Sequence, residues 1–225
     1  MKLRLLVPLS AAWLVACASG GPAPPAWQAD AKTAVDRASA AWLAGETKAS
    51  DAEMARARRT LTSTGRTDLL ARAELMHCAA RVASLVFEPC ERFEVLRADA
   101  PASERAYADH LSARALAGGD IARLPAAQQA AATAVAGGGA TPATVQGIDD
   151  PQARLIAVAV LFQAGKASPA MIDAATETAS AQGWRRPLLA WLKVQALRAE
   201  KAGDADEAKR LQRRIALVEG PAAKP

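Results

Sequence analysis

Residues 187–218 read PLLAWLKVQALRAEKAGDADEAKRLQRRIALV, two amphipathic stretches joined by the small-residue elbow KAGD at 201–204. In the second stretch Ala208, Leu211, Ile215 and Val218 recur at helical spacing, while Lys209, Arg210, Arg213 and Arg214 fall off that face. Asp204 with Glu207 is a helix-start signal, because a side-chain oxygen there can accept from an otherwise orphaned backbone N–H. The segment therefore predicts an antiparallel helical hairpin.

The same punctuation recurs upstream. LAGE at 43–46, LAGGD at 116–120 and QAGK at 163–166 each close one helical pattern before another begins. The last two elbows are 38 residues apart and the first two 73, about twice that, which predicts stacked hairpins. Trp27 to Gly45 forms a first helix that stops at Gly45, a natural C-cap. Ser50 and Glu53 read as a capping box that opens a second helix running to about Ser63. Thr67, Asp150 before Pro151, and Ser168 before Pro169 mark further starts, making about nine helices in all.

Aromatics are only 4% of the 225 residues, and β-branched residues rarely alternate with polar ones, so the expected class is all-α: an array or bundle of stacked antiparallel hairpins. The hairpin at 187–218 resembles a tetratricopeptide unit, with bulky residues in its first helix, a small-residue elbow and an Ala-containing second helix. The spacing is longer than that family's 34 residues and its consensus is absent elsewhere, so the resemblance covers about a sixth of the chain.

The chain opens differently. Lys2 and Arg4 precede an apolar run from Leu5 to Ala16, the layout of an export signal and too short to cross a bilayer. Leu14, Val15, Ala16 and Cys17 then resemble the lipobox of bacterial lipoproteins. The resemblance implies removal of residues 1–16 as a signal peptide and acylation of Cys17, a covalent lipid of palmitate type and no other cofactor. Ala18, standing where Asp is associated with inner-membrane retention, implies the periplasmic face of the outer membrane. Residues 17–25, with ASGGPAPP after the cysteine, are expected to form a flexible tether that lifts the folded part about 20 Å from the membrane. The helical domain is then expected over 26–219, with a flexible loop near 136–148 and a disordered tail over 220–225.

Without residues 1–16, 26 basic and 23 acidic residues remain, a net charge of +3 and too mild to imply nucleic acid. Residues 184–225 alone hold ten basic and five acidic residues, which makes Lys209, Arg210, Arg213 and Arg214 candidates for contact with an anionic surface.

Reactive constellations are sparse. His77 and His110 belong to no metal-binding motif; His77 is expected at the border of a core face and His110 on a solvated one. Gly165 and Lys166 make no phosphate loop, since Ala167 follows and Val160 stands where the first glycine belongs. Glu88, Glu91 and Glu94 could present carboxylates to a sugar, or simply favour a helix dipole. Trp27, Trp42, Trp184 and Trp191 are expected as core anchors. The expectation is a membrane-anchored module that binds an envelope protein, with no catalytic residue and no metal; the alternatives are a peptidoglycan-acting enzyme and a purely structural lipoprotein.

Cys78 and Cys90 would enter an oxidising compartment, where paired thiols tend to bridge. One helix through both would separate their backbones by about 18 Å, far beyond a disulfide's reach, so the helix from Thr67 must stop early. A bridge wants the reversal near Ser84, whereas Pro89 puts the stop somewhat later.

Overall fold

The computed structural model describes residues 25–220. The expected signal segment, Cys17, the tether up to residue 24 and the tail from 221 lie outside the described residues. Within the described residues the fold is all-α, with twelve helices and no strand: nine of ten residues or more, and three of only four. No helix among the described residues is long and apolar enough to cross a membrane.

α1 (Ala26–Ala44) and α2 (Thr47–Thr62) form the first hairpin, and α3 (Thr67–Ala83) packs against both. Their shared core is Ala34, Val35, Ala38, Met54, Ala57 and Leu61. α2 begins a turn earlier than Ser50 and Glu53 suggest. Gly45 turns left-handed at φ 95°, Glu46 N–H bonds back to the Ala41 carbonyl, and the helix restarts at once. Ser50 is consequently buried inside α2, and its hydroxyl donates to the Ala38 carbonyl of α1 at 2.8 Å. Thr67 likewise is the first helical residue, with Arg66 at the cap.

The α3 helix stops at Ala83. Leu85 takes φ 59°, and Val86 N–H reaches back to the Arg81 carbonyl. Of the two reversals the sequence allowed, the earlier one occurs. The returning strand of chain brings Cys90 to Cys78, Cα to Cα 6.0 Å, and the two are joined. α4 (Glu91–Glu94) follows, anchored by fully buried Phe93.

α5 (Ala102–Leu111), α6 (Gly118–Ile121) and α7 (Ala126–Val135) continue the middle of the chain. The LAGGD elbow behaves differently from its relatives, because Gly118 and Gly119 open α6 instead of closing a helix. The break after α7 contains α8 (Ala143–Gln146). Val145 and Ile148 are buried there, the Arg154 guanidinium donates to the Ile148 carbonyl, and Lys166 Nζ donates to the Ala134 carbonyl.

α9 (Pro151–Gln163) is capped by Asp150, whose side chain accepts from Ala153 N–H at 2.6 Å, with Pro151 pre-set at the first helical position. Leu155 to Leu161 are buried at every one of seven consecutive positions, and the helix packs against α3, α7 and α10 (Pro169–Ala181). A helix apolar all round has no solvent face and becomes the centre of the bundle. α10 opens at Ser168, and α11 (Arg185–Lys201) and α12 (Ala205–Glu219) form the hairpin at the chain's end, with Asp204 accepting from Glu207 N–H. α11 also reaches back to α1, so hairpins distant in sequence close on one another.

Candidate functional site: a charged cleft at the disulfide

Two helices and one returning segment build the main cleft, of about 550 Å³. α2 supplies Asp51 and Arg58, one helical face of α3 supplies Glu74, His77 and Arg81, and the segment after the reversal supplies Glu88, Glu91 and Arg92. The Cys78–Cys90 bridge and Phe93 also line it. Positions 74, 77, 78 and 81 share a face because they follow the helical repeat, and the bridge holds the facing segment across from them.

Most of these charges are committed to each other. The Arg58 guanidinium grips buried Glu74 with two parallel bonds, Nε at 2.5 Å and Nη2 at 2.8 Å, and that bond holds Arg58 above its ordinary pKa. Arg81 pairs with Glu88. Asp51, Glu91 and Arg92 make no ion pair among the described residues, and all three are exposed.

His77 is half-buried as its sequence context suggests. It meets the Trp42 ring edge-on at 5.8 Å, and Nε2 lies 3.3 Å from Ser50 Oγ. Because Ser50 gives its one proton to the Ala38 carbonyl, it accepts here and His77 donates. A buried hydroxyl so committed is a positioning group, with its lone pair satisfied by the imidazole. Burial pushes the His77 pKa down, with the Arg58 and Arg81 charges acting the same way and Glu74 against them.

Arg186 of α11 lies 3.9 Å above the Trp42 ring, and its Nε donates to the Trp42 carbonyl while Nη2 donates to Thr47 Oγ1. Desolvation lowers its pKa. Some 140 residues separate these partners, so sequence spacing carried no sign of the clamp.

Of the three glutamates considered for sugar chemistry, Glu88 and Glu91 line the cleft. Glu94 turns away to Arg97, whose bond holds its carboxyl below the ordinary value. Trp191 is fully buried; Trp27, Trp42 and Trp184 are part-buried against the core clusters. His110 is corrected: it is buried, not solvated, because α7 brings Gln128 Oε1 to its Nε2 at 3.1 Å and Tyr107 stacks on it. No three His, Cys, Asp or Glu side chains among the described residues converge as a metal site.

The four basic residues of α12 are divided. Arg210, tied to Glu207, and Arg214 line a second cleft of about 430 Å³ with Asp173, Glu177 and Arg198. Lys209 lines a different hollow beside Glu200, and Arg213 is exposed between them. No family model, no curated protein and no solved structure matches the chain.

Proposed function

We propose that the chain is a lipoprotein acylated at Cys17, anchored at the periplasmic face of the outer membrane, where it acts as a non-catalytic binding module. Support for the anchor is the basic leader, the apolar run and Leu14-Val15-Ala16-Cys17. The observation that carries the binding role is the internal pairing of the cleft. Glu74 and Glu88 are held by arginines, which suits fixed recognition better than proton transfer. Asp51, Glu91 and Arg92 then stand as preset charges of both signs for an envelope protein partner.

In-cell photocrosslinking from positions 51, 91 and 92 tests this. One discrete partner should be captured there and not from position 213, and Arg92→Glu should weaken its capture. Peptidoglycan hydrolysis by the purified protein, abolished by Glu91→Gln, would overturn the reading in favour of an enzyme.

A further inference from the structure

A hollow of quite different character, about 410 Å³, lies between the first half of α1, the end of α2 and the start of α3. Val35, Leu61 and Ala73 are buried in its walls, Leu69 is part-buried, and Met76 is 38% exposed. Polar lining is limited to Gln28, Lys32 and Arg72, and Arg72 is bonded to Glu104. A second hollow of about 410 Å³ shares Arg72 and Met76 with the first and is mixed in character, with Leu75, Tyr107 and Leu124 beside Ser103, Glu104 and Arg123. The apolar groove is the first hollow, and the Arg72–Glu104 pair stands at its border with the second. A concavity of this kind marks a binding site for something apolar.

The chemistry of the walls narrows the occupant. An extended peptide would bring backbone N–H and C=O groups into a lining with few partners, and each unpaired group costs free energy. A hydrocarbon chain brings none. Alanines and a methionine also suit it, since small and flexible side chains conform to a thin, unbranched guest.

Position in the chain narrows it further. The groove's wall begins at Gln28, three residues beyond Pro25, the first residue described. Eight links separate Cys17 from Pro25, a reach of up to about 28 Å, whereas Gln28 to Val35 on α1 spans only about 10 Å. A group attached to Cys17 can therefore fold back along the whole wall.

We propose that this groove receives one of the acyl chains on Cys17, the others remaining in the bilayer, an inference that rests on the lipoprotein reading. Each buried methylene is worth about 0.8 kcal/mol in the bilayer, and an apolar groove returns a similar amount, so lodging one chain is nearly neutral. The chains left behind still anchor the protein, because two suffice. The α1–α3 face is thereby held against the membrane instead of standing about 20 Å off it.

Metabolic labelling with a diazirine-bearing palmitate analogue tests the proposal on the full mature protein in phosphatidylethanolamine nanodiscs. Intact mass first reads the acyl groups on Cys17, and irradiation followed by peptide mapping then locates the adducts. Adducts within residues 28–35 and 69–76 are expected. Met76→Glu, at a position open enough to keep its carboxylate wet, should reduce them several-fold with an unchanged circular dichroism spectrum, while Leu217→Glu on exposed α12 leaves them unaltered. An acylated protein whose adducts fall only on lipid, or on a second copy in a mixture with isotope-labelled protein, overturns the inference and leaves the anchor standing. Absence of acyl mass on Cys17 overturns both.

Discussion

The hairpins from α9 to α12 and the middle of the chain from α3 to α7 turn corners in the same way with different residues. At Gly165, Gly183 and Gly203 the residue past the helix is left-handed, and the next N–H bonds to the carbonyl five residues back. Leu85 and Ala113 make the same turn at φ 59° and 52°, with Val86 N–H on Arg81 and Arg114 N–H on Asp109. A side chain in that conformation costs about 1–2 kcal/mol, so these two ends are not favoured locally. Leu85 packs against the main core, and the Cys78–Cys90 bridge fastens the segment beyond it. Glycine marks turns made by local chemistry; Leu85 and Ala113 mark turns that tertiary packing imposes.

The middle therefore depends on its bridge. Replacing Cys78 and Cys90 together by alanine should lower unfolding stability by about 3 kcal/mol, the value for a short closed loop. Hydrogen exchange should then show earlier opening at residues 84–95 than in α10–α12; uniform loss across both regions would erase the distinction.

Gly165→Ala and Gly203→Ala sharpen the other side. Nothing lies within 4 Å of a Cβ at either position, so the cost is conformational alone and should be about 1–2 kcal/mol each by denaturant melts. Leu85→Gly should also destabilise, by about 1 kcal/mol, because the lost burial exceeds the relieved strain.

Acid should separate the regions a third way, since both histidines lie in α3 and α5. Burial, the leading cause for each, holds their folded pKa values below the ordinary 6.5. The unfolded chain then binds more protons between the two values, and stability falls as pH drops below about 6.5. Melting temperatures at pH 7.5 and 5.5 check this, and His110→Gln should flatten part of the slope. At lower pH Glu104 adds to the loss: burial would raise its carboxyl, but bonds from Ser103 and Arg72 outweigh that and hold it below 4.5, so its contribution disappears as pH falls through the folded value.

Ala113→Gly carries the smallest effect, a gain of about 0.5 kcal/mol from relieved strain against little lost packing. A loss there would mean that the packing of the Ala113 methyl against the core outweighs the strain it bears.

The hairpins at the end of the chain were legible because their signals are local: Asp150–Pro151, Ser168–Pro169 and Asp204 with Glu207 each act within one turn. Helices of four residues, α4, α6 and α8, escaped because barely one turn shows no period. Ser50 misled as a cap because its true partner, the Ala38 carbonyl, lies on another helix. His110 misled for the same reason, its partner Gln128 being 18 positions away. Within the cleft, Cys78, Cys90, His77, Glu88 and Glu91 drew notice from sequence, whereas Asp51, Arg58, Glu74, Arg81 and Arg92 are ordinary helix charges until folding aligns them. The uninterrupted apolar run Leu155 to Leu161, which makes α9 the central helix, went unread in the sequence, where only its Asp150–Pro151 start drew notice.

That central helix sets an order of events. The α1–α2 hairpin has a core cluster of its own to close on. One side of α3 must wait, because its partner α9 begins 84 positions after Thr67. Repeat arrays fold outward from any unit, each needing only its neighbour. Here the α9-facing side of α3 stays uncovered until Leu155 to Leu161 is present, so a purified fragment ending just before Asp150 should bind a chaperone, and one extended past Gln163 should bind it less.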